Sequence, residues 1–188
     1  MTDKYLLDRT DAFAAVAGID LSATDLDGVL KDLAELAKRA IPGAVEVSVT
    51  LRQGGDASTV AFTGGLALSL DETQYEQGRG PGMDALASGD TLVIDEMGSE
   101  DRWPDFTTRA LDAGCHSSLS VGLPGYESAS GVLNIYAIEP KAFDEYAIVL
   151  AQAFAGHAVV ALANARLYDV QTALAGHLDR VRRPGRSG

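Results

Sequence analysis

The sequence predicts an α+β domain with a central antiparallel sheet, and three observations support this fold class. Amphipathic helical patterns stand near both ends of the chain. Two pairs of strand-like segments, each pair joined by a short turn, lie between them. Short helical segments and one more strand separate the two pairs. We therefore expect the terminal helices on one face of the sheet, and the short middle helices on the other.

The first elements follow from the spacing of apolar residues. Residues 1–23 show no clear period and are interpreted as an arm or short helix. The three-and-four spacing over Leu26–Ala40 predicts an amphipathic helix with Thr24 as its N-cap. Apolar and polar residues then alternate over 45–52, which predicts a strand with one buried face. A glycine-rich turn leads to a second strand at 58–63, so this pair forms a hairpin.

The middle of the chain is predicted from its capping and turn residues. Ser69 and Glu72 have the spacing of a capping box before a short helix that Gly78 ends. A proline at a helix start and a closing glycine predict another short helix over 80–89. The run Thr91–Ile94 is then a short, buried strand.

The last third repeats the order of helix, strand pair and helix. A helix is predicted from Pro104 to Gly114, and two adjacent strands at 116–123 and 131–138. From Phe143 the helical period continues without proline to about Val181, far beyond an average helix. Such a length indicates a use outside the core of one domain.

Composition excludes several classes of protein. The 188 residues are 46% hydrophobic and 22% charged, as in one folded domain. The formal charge of -12 repels phosphate backbones and anionic lipid, so we expect no specific nucleic-acid partner and no membrane association. No secretory signal and no apolar run near the ~20 residues of a membrane span are apparent, and we expect a cytoplasmic protein.

The nucleophiles and metal ligands are few. Cys115 is the only cysteine, so one chain forms neither a disulfide nor a dithiol redox pair, and the thiol is assigned to core packing. His116, His157 and His177 fall on different elements and predict no metal site. We expect no enzymatic activity and no required cofactor, and the sequence leaves the identity of any cofactor open.

Four segments carry a family resemblance: LDETQYEQGRGPGMDALASGDTLVIDEM, RWPDFTTRALDAG, SSLSVGLP and GVLNIYA. In this order and spacing they resemble the GAF domain of actinobacterial regulators, where that domain commonly precedes an RNA-binding ANTAR domain. The resemblance spans residues 24–168. Residues 169–188 are then a helix extension with a basic tail, too short for the ANTAR helices. The tail is interpreted as solvated, with contact to RNA, lipid or an acidic partner as the alternative.

The resemblance implies a sensory function and a GAF-like fold, in which short helices and loops lie over a pocket on the second face of the antiparallel sheet. GAF domains bind cyclic nucleotides, haem, bilins or small metabolites, and some bind nothing known. We expect a small-molecule sensor that signals through its C-terminal helix, in signal transduction or transcription regulation. The alternative is a ligand-free module for protein interaction or dimerisation, with a closed pocket. Family members that reduce free methionine sulfoxide use a set of cysteines, which this chain lacks.

The candidate ligand site lies where the second face of the sheet meets the middle helices. Polar residues of the last strands, aromatic residues of the lid and one arginine form the candidate set: Tyr75, Arg79, Trp103, Phe106, Ser118, Ser120, Asn134 and Tyr136. The alternative is that these residues fill a closed core or face solvent. The glycine-rich stretch at 78–82 lacks the residues of a P-loop and is interpreted as a structural turn, with Arg79 available to an anionic ligand.

The long helix carries a heptad pattern that predicts a homodimer. Its members alternate at spacings of four and three: Tyr146, Leu150, Ala153, His157, Val160, Asn164, Leu167, Gln171, Leu174, Leu178 and Val181. The first part is expected to lie on the sheet, which leaves the second part for a partner. The predicted interface is Asn164, Leu167, Gln171, Leu174 and Leu178. The alternative is that residues 1–23 of the same chain cover this stripe.

Overall fold

The computed structural model describes residues 9–21, 25–126 and 129–182. Residues 1–8, 22 and 23 of the predicted arm or helix at 1–23 lie outside the described residues, as do Thr24, the end of the basic tail from residue 183 and the side chain of Leu178. The helices are α1 (Arg9–Ala17), α2 (Leu26–Ala40), α3 (Gly65–Gln77), α4 (Pro81–Ser88), α5 (Pro104–Asp112) and α6 (Glu145–Arg182). The strands are β1 (Glu46–Gln53), β2 (Asp56–Phe62), β3 (Thr91–Ile94), β4 (Ser117–Tyr126) and β5 (Ala129–Ala137).

The strands form one five-stranded sheet in the order β2-β1-β5-β4-β3. All neighbouring strands are antiparallel. The β1–β2 hairpin turns at Gly54 and Gly55, whose φ angles of 65° and 111° favour glycine. In the centre, β5 aligns Ser48 with Asn134 on one side and Ser120 with Asn134 on the other. The sheet thereby brings polar residues from three strands to one place.

Helices α2 and α6 pack on one face of this sheet and form the larger apolar core. Its strand residues include Val47, Val49, Leu51, Leu119, Val121, Leu123, Leu133 and Ile135. Helix α2 is capped by Asp25, whose carboxylate accepts a hydrogen bond from the Gly28 N–H at 3.2 Å. The prediction of Thr24 as the cap is therefore wrong by one residue.

The opposite face is covered by α3, α4 and α5. The prediction that β1 has one buried face is wrong, because Ser48 and Thr50 are as completely buried as Val47 and Val49. A two-residue period distinguishes the two faces of a strand but does not show what covers each face. The polar face of this sheet therefore lies inside the domain.

The short helices start and end largely as their turn residues predict. Helix α3 ends at Gly78 and α4 ends at Gly89, both with left-handed backbone. However, α3 begins at Gly65, so Ser69 and Glu72 lie inside the helix and do not form a capping box. The start of α3 is instead capped from the sheet, where the Glu46 carboxylate accepts from the Ala67 N–H at 2.8 Å.

Helix α6 is both a core element and an extension. Its first half packs Ala147, Leu150 and Phe154 into the core. By length and composition the segment Glu145–Ala175 would suffice to cross a membrane, and 39% of its most apolar window is buried in the domain. The expectation that no apolar run approaches a membrane span is therefore wrong. Core helices of globular domains have the same properties, so this helix is weak evidence for a membrane.

Candidate functional site

A cluster of polar side chains on the covered face of the sheet centres on Asp71 of α3. The Tyr136 hydroxyl donates to Asp71 Oδ1 at 2.7 Å, and Asn134 Nδ2 donates to the same oxygen at 3.1 Å. Thr59 Oγ1 donates to Asp71 Oδ2 at 2.8 Å. The carboxyl group is completely buried. Strands β2 and β5 thus hold one acidic side chain of α3 by direct hydrogen bonds.

Tyr75 lies one helical turn after Asp71 and joins the same network. Its hydroxyl lies 2.6 Å from Thr50 Oγ1 and 2.7 Å from Thr59 Oγ1. Residues four apart share a helix face, so Asp71 and Tyr75 both face the sheet. Burial and the nearby Asp71 raise the pKa of Tyr75 to about 12. The phenol therefore remains protonated and acts as a hydrogen-bonding group.

Gln74 connects this network to α4. Its side-chain Nε2 donates to the Tyr136 hydroxyl at 3.2 Å, and its Oε1 accepts from the Gly82 N–H at 2.8 Å. A Cβ on Gly82 would stand 2.6 Å from Asn134 Oδ1. Glycine at 82 therefore lets α4 settle on the sheet, which agrees with a structural interpretation of the glycine-rich stretch.

The electrostatics of the cluster are unusual for a buried carboxyl group. Burial raises the pKa of Asp71, and the hydrogen bonds from Tyr136, Thr59 and Asn134 oppose the rise. Burial and the neighbouring Asp71 also raise the pKa of Tyr136 well above its ordinary value. Within the described part of the chain, no basic side chain forms an ion pair with Asp71. Among the described residues the carboxyl group is therefore satisfied by hydrogen bonds and not by an ion pair.

Two buried hydroxyl groups on this face lack an ordinary hydrogen bond to the described residues. Ser118 Oγ is buried and has no hydrogen-bond partner. Ser48 Oγ lies near enough to Asp71 to lower its pKa, but it makes no hydrogen bond of ordinary geometry. Buried polar groups in native proteins nearly always have partners, and an orphaned group calls for an explanation.

An apolar cluster continues the same face towards α5. It contains Ile94, Met97, Trp103, Phe106, Cys115 and Tyr136. Trp103 joins α5 to α4, because its Nε1 donates to Asp84 Oδ2 at 3.0 Å. The Arg102 guanidinium lies 4.3 Å from the centre of the same ring. Trp103 and Phe106 therefore cover the sheet beside the polar cluster, and the hydrogen bond to Asp84 holds Trp103 in place.

Cys115 is buried beneath this cover. Burial raises the pKa of its thiol to about 11, and Sγ donates to the Ser117 carbonyl oxygen at 3.4 Å. Nucleophilic cysteine chemistry requires the thiolate. A thiol with this pKa is an unfavourable nucleophile near neutral pH, whereas its burial fits a packing residue.

The structure brings together most of the predicted site residues. Tyr75, Ser120, Asn134 and Tyr136 belong to one connected network, since Ser120 Oγ donates to Asn134 Oδ1 at 2.8 Å. Ser118, Trp103 and Phe106 lie buried on the same covered face. Arg79 lies apart from them, exposed on the turn between α3 and α4.

Sequence reasoning missed the centre of the cluster. Asp71 and Gln74, which occupy the middle of the network, were not among the candidates. Their signal was the spacing of Asp71, Gln74 and Tyr75 on one face of a predicted helix. Thr50 and Thr59, on the two strands of the predicted hairpin, were missed because a polar residue in a strand is ordinarily solvated.

A separate cavity lies on the other side of the domain. It has a volume of about 500 Å³, lies between α1 and α2 and is lined by residues such as Ile19, Asp32 and Leu36. Asp71 and its partners do not line this cavity. The cavity therefore adds nothing to the polar cluster.

Potential metal ligands are dispersed. Across the described ranges, no group of three or more histidine, cysteine, aspartate or glutamate residues is arranged to hold a metal ion. The polar cluster is consequently a hydrogen-bonding site of one carboxyl group, hydroxyls and amides.

The sequence over residues 23–163 matches the family model of the GAF domain. This match covers most of the chain, and the protein belongs to the GAF domain family. A search of curated proteins finds no matching relative. The family is thus established by the sequence pattern and agrees with the five-stranded sheet.

Solved structures extend the likeness. A putative GAF sensor protein from Burkholderia vietnamiensis is 18% identical, with a TM-score of 0.67 and coverage of 85% of this chain and 99% of the other. The free methionine-R-sulfoxide reductase of Neisseria meningitidis is 20% identical, with a TM-score of 0.63 and coverage of 85% and 89%. The bacteriophytochrome RpBphP3 of R. palustris is 12% identical, with a TM-score of 0.71 and coverage of 96% and 42%. At these identities the likeness is one of fold.

Proposed function

We propose that this chain is an intracellular sensory GAF module that binds a small polar molecule at the cluster around Asp71. The observation that carries the proposal is a completely buried carboxyl group that has no basic partner among the described residues, on the same sheet face as the unbonded hydroxyl of Ser118. Such groups lower stability unless they are satisfied. Buried ionisable groups with a perturbed pKa are concentrated at functional sites.

The hydrogen bonds within the cluster describe its closed state. Gln74 and Tyr75 of α3 occupy the bonds to the sheet that a ligand would otherwise make. A ligand with several hydrogen-bond donors and acceptors replaces these bonds one for one. Helix α3 must then move away from the sheet to admit it. The turn at Gly78 and Gly80, both with positive φ, is the nearest hinge. Binding is then coupled to a movement between α3 and α4.

The proposed output is signalling through α6, in signal transduction or transcription regulation. Helix α6 contacts β4 and β5, the strands that carry Ser120 and Asn134. A shift in these strands is therefore passed to the helix that leaves the domain. The sensor acts without catalysis, a proposal supported by the burial and the raised pKa of Cys115. The acidic body, with a formal charge of -12, supports a partner other than nucleic acid.

A ligand screen tests the sensor proposal. The purified protein is examined by native mass spectrometry for a retained small molecule, and by thermal unfolding against a library of polar cytosolic metabolites. Asp71→Asn and Asn134→Leu should weaken any binding that is found, whereas Glu72→Gln, an exposed neighbour on α3, should leave it unchanged. Absence of both a retained molecule and a stabilising metabolite would contradict the proposal and favour a closed module.

The second candidate function is dimerisation, and a specific observation favours it. Leu167 and Leu174 of α6 are 62% and 57% exposed. An apolar stripe of this length on a helix is typical of a protein interface. In this proposal the protein is a homodimer built on α6, with the predicted interface from Asn164 to Leu178.

Sedimentation analysis tests the dimer. The double substitution of Leu167→Glu and Leu174→Glu should produce folded monomers, because charges at an apolar interface are unpaired when buried. Circular dichroism checks the fold of the variant. A wild-type protein that already sediments as a monomer at micromolar concentration would contradict dimerisation.

A further inference from the structure

The outward face of α6 carries an apolar stripe that extends over both halves of the helix. Its large members are Val149, Val160, Leu167, Val170 and Leu174, each between 46% and 62% exposed. Together with the exposed Gly156 and Ala163, and with Ala153, which is half-buried at the edge of the core, they recur at alternating spacings of four and three. This is the period of a helix that pairs with another helix. We call these eight residues the outer seam.

The outer seam differs from the seam that the sequence alone predicts. Both share Ala153, Val160, Leu167 and Leu174, but the second row is displaced by one residue. The predicted row contains Leu150, which is buried in the core, and Asn164, whose Nδ2 donates to the Leu21 carbonyl oxygen of the same chain. Leu150 therefore faces its own domain, and Asn164, although exposed, is bonded to its own chain. The row displaced by one residue is exposed throughout and consists of Val149, Gly156, Ala163 and Val170.

Gly156 is the most informative member of the outer seam. It stands inside a 38-residue helix, where glycine is less favourable than alanine. Among the described residues an added Cβ would meet no atom within 4 Å, so no contact with them requires glycine there. The absence of a side chain makes room for a group that comes from outside.

The size of the seam is sufficient for a dimer. From Val149 to Leu174 the helix is about 39 Å long. A contact covering a third of its circumference, roughly 13 Å wide, removes about 500 Å² of surface from each of two copies. The total of about 1,000 Å² lies at the threshold for a biological interface and below the roughly 1,200–2,000 Å² of stable ones, which fits a reversible dimer. A second copy of α6 is therefore an adequate occupant.

We infer that two copies of this chain pair through their outer seams in antiparallel orientation. The inference rests on the proposed dimerisation. In this arrangement Gly156 of one copy faces Leu167 of the other, and Ala153 faces Val170. Val160 faces Ala163, and Val149 faces Leu174. Each layer joins a smaller residue to a larger one, which is the condition for an evenly filled contact. A two-fold axis passes between residues 161 and 162.

The parallel alternative fits the same residues less well. It pairs each residue with itself, so that Gly156 meets Gly156 and Ala163 meets Ala163, while Leu167 meets Leu167. Some layers are then empty and others crowded. A parallel pair also places two bodies of formal charge -12 side by side. The antiparallel pair moves the bodies towards opposite ends of the seam, which reduces their repulsion.

Disulfide cross-linking in the full chain tests the orientation. The background is Cys115→Ser, which removes the only native thiol. The variant with Gly156→Cys and Leu167→Cys should form a covalent dimer under mild oxidation, whereas each single substitution should not. The matched control combines Gly156→Cys with Asp169→Cys, an exposed position off the seam, and should remain uncross-linked. The readouts are non-reducing electrophoresis and sedimentation, with circular dichroism as the check of folding.

The outcomes separate the inference from the function on which it rests. A wild-type monomer in sedimentation would overturn both. A wild-type dimer in which Leu167→Cys alone cross-links would overturn the antiparallel orientation and leave dimerisation intact. A wild-type dimer in which neither the pair nor the single substitutions cross-link would overturn the outer seam as the interface.

Discussion

The two faces of the central sheet have the same burial and opposite chemistry. On the face beneath α2 and α6, β1 contributes Val47, Val49 and Leu51. On the face beneath α3 and α4, the same strand contributes Ser48 and Thr50, which are equally buried. One face is held by apolar packing, and the other combines hydrogen bonds to Asp71 and Tyr75 with smaller apolar clusters. Burial alone therefore does not distinguish a stabilising core from a candidate site.

The difference has an energetic reason. Apolar packing has no partner requirement, and each buried side chain adds stability in proportion to its area. A polar group gains little from burial even when it is bonded, and it loses much when a bond is missing. The apolar face should therefore determine how stable the domain is. The polar face should determine which hydrogen-bonding groups it accepts.

The largest expected effect is on the apolar face. Phe154→Ala removes a completely buried ring of α6 and should lower the free energy of unfolding by about 3–5 kcal/mol. Urea denaturation measures the loss. Asp169→Ala, an exposed position on the same helix, should change stability by less than about 0.5 kcal/mol. Equal effects from the two variants would contradict the assignment of the main core to this face.

A smaller loss is expected on the polar face from Tyr75→Phe. The substitution keeps the ring and removes the hydroxyl that bonds Thr50 and Thr59. The expected loss is about 1–3 kcal/mol, because partners are left unsatisfied. The control is Tyr168→Phe on the exposed part of α6. An unchanged midpoint in urea for Tyr75→Phe would mean that water readily replaces the phenol.

The pH dependence of stability tests Asp71. Because burial raises its pKa in the folded state above the ordinary 3.8, the folded protein binds more protons than the unfolded chain between those two pKa values. Stability supplied by this group is therefore present below pH 3.8 and lost as the pH rises through the folded pKa. The slope for one proton is about 1.4 kcal/mol per pH unit.

Asp71→Asn removes this titration. Wild type should lose stability relative to the variant as the pH rises through that window. Chemical denaturation at a series of pH values measures the difference, and Glu72→Gln provides the exposed control on α3. Parallel profiles for wild type and Asp71→Asn would show that the carboxyl group has the same pKa in both states.

The smallest effect is expected at Cys115, which packs beside the polar cluster. Cys115→Ala should cost about 1 kcal/mol, the usual scale of a small core truncation, and should leave binding intact. In the native protein the thiol should react with a disulfide reagent only on unfolding, because it is buried and its pKa is about 11. Rapid reaction in the absence of denaturant would contradict a purely structural thiol.

Local patterns were enough for much of the fold. Alternation predicted β1 and its hairpin partner, and glycines at 78 and 89 marked the ends of α3 and α4. These features depend on backbone preferences within a few residues. The candidates Ser120, Asn134 and Tyr136 were found because polar residues in a predicted strand pair stand out from their apolar neighbours.

The sequence by itself determined which residues share a face of each helix or strand, since side-chain period is a property of the backbone. Only the tertiary structure decided what covers each face. It placed Asp71 and Gln74 over the sheet, and it turned Leu150 inwards while Gly156 and Val170 face outwards on α6. Those outcomes depend on contacts between elements far apart in the chain. The heptad repeat along α6 therefore does not predict which of its side chains face the domain.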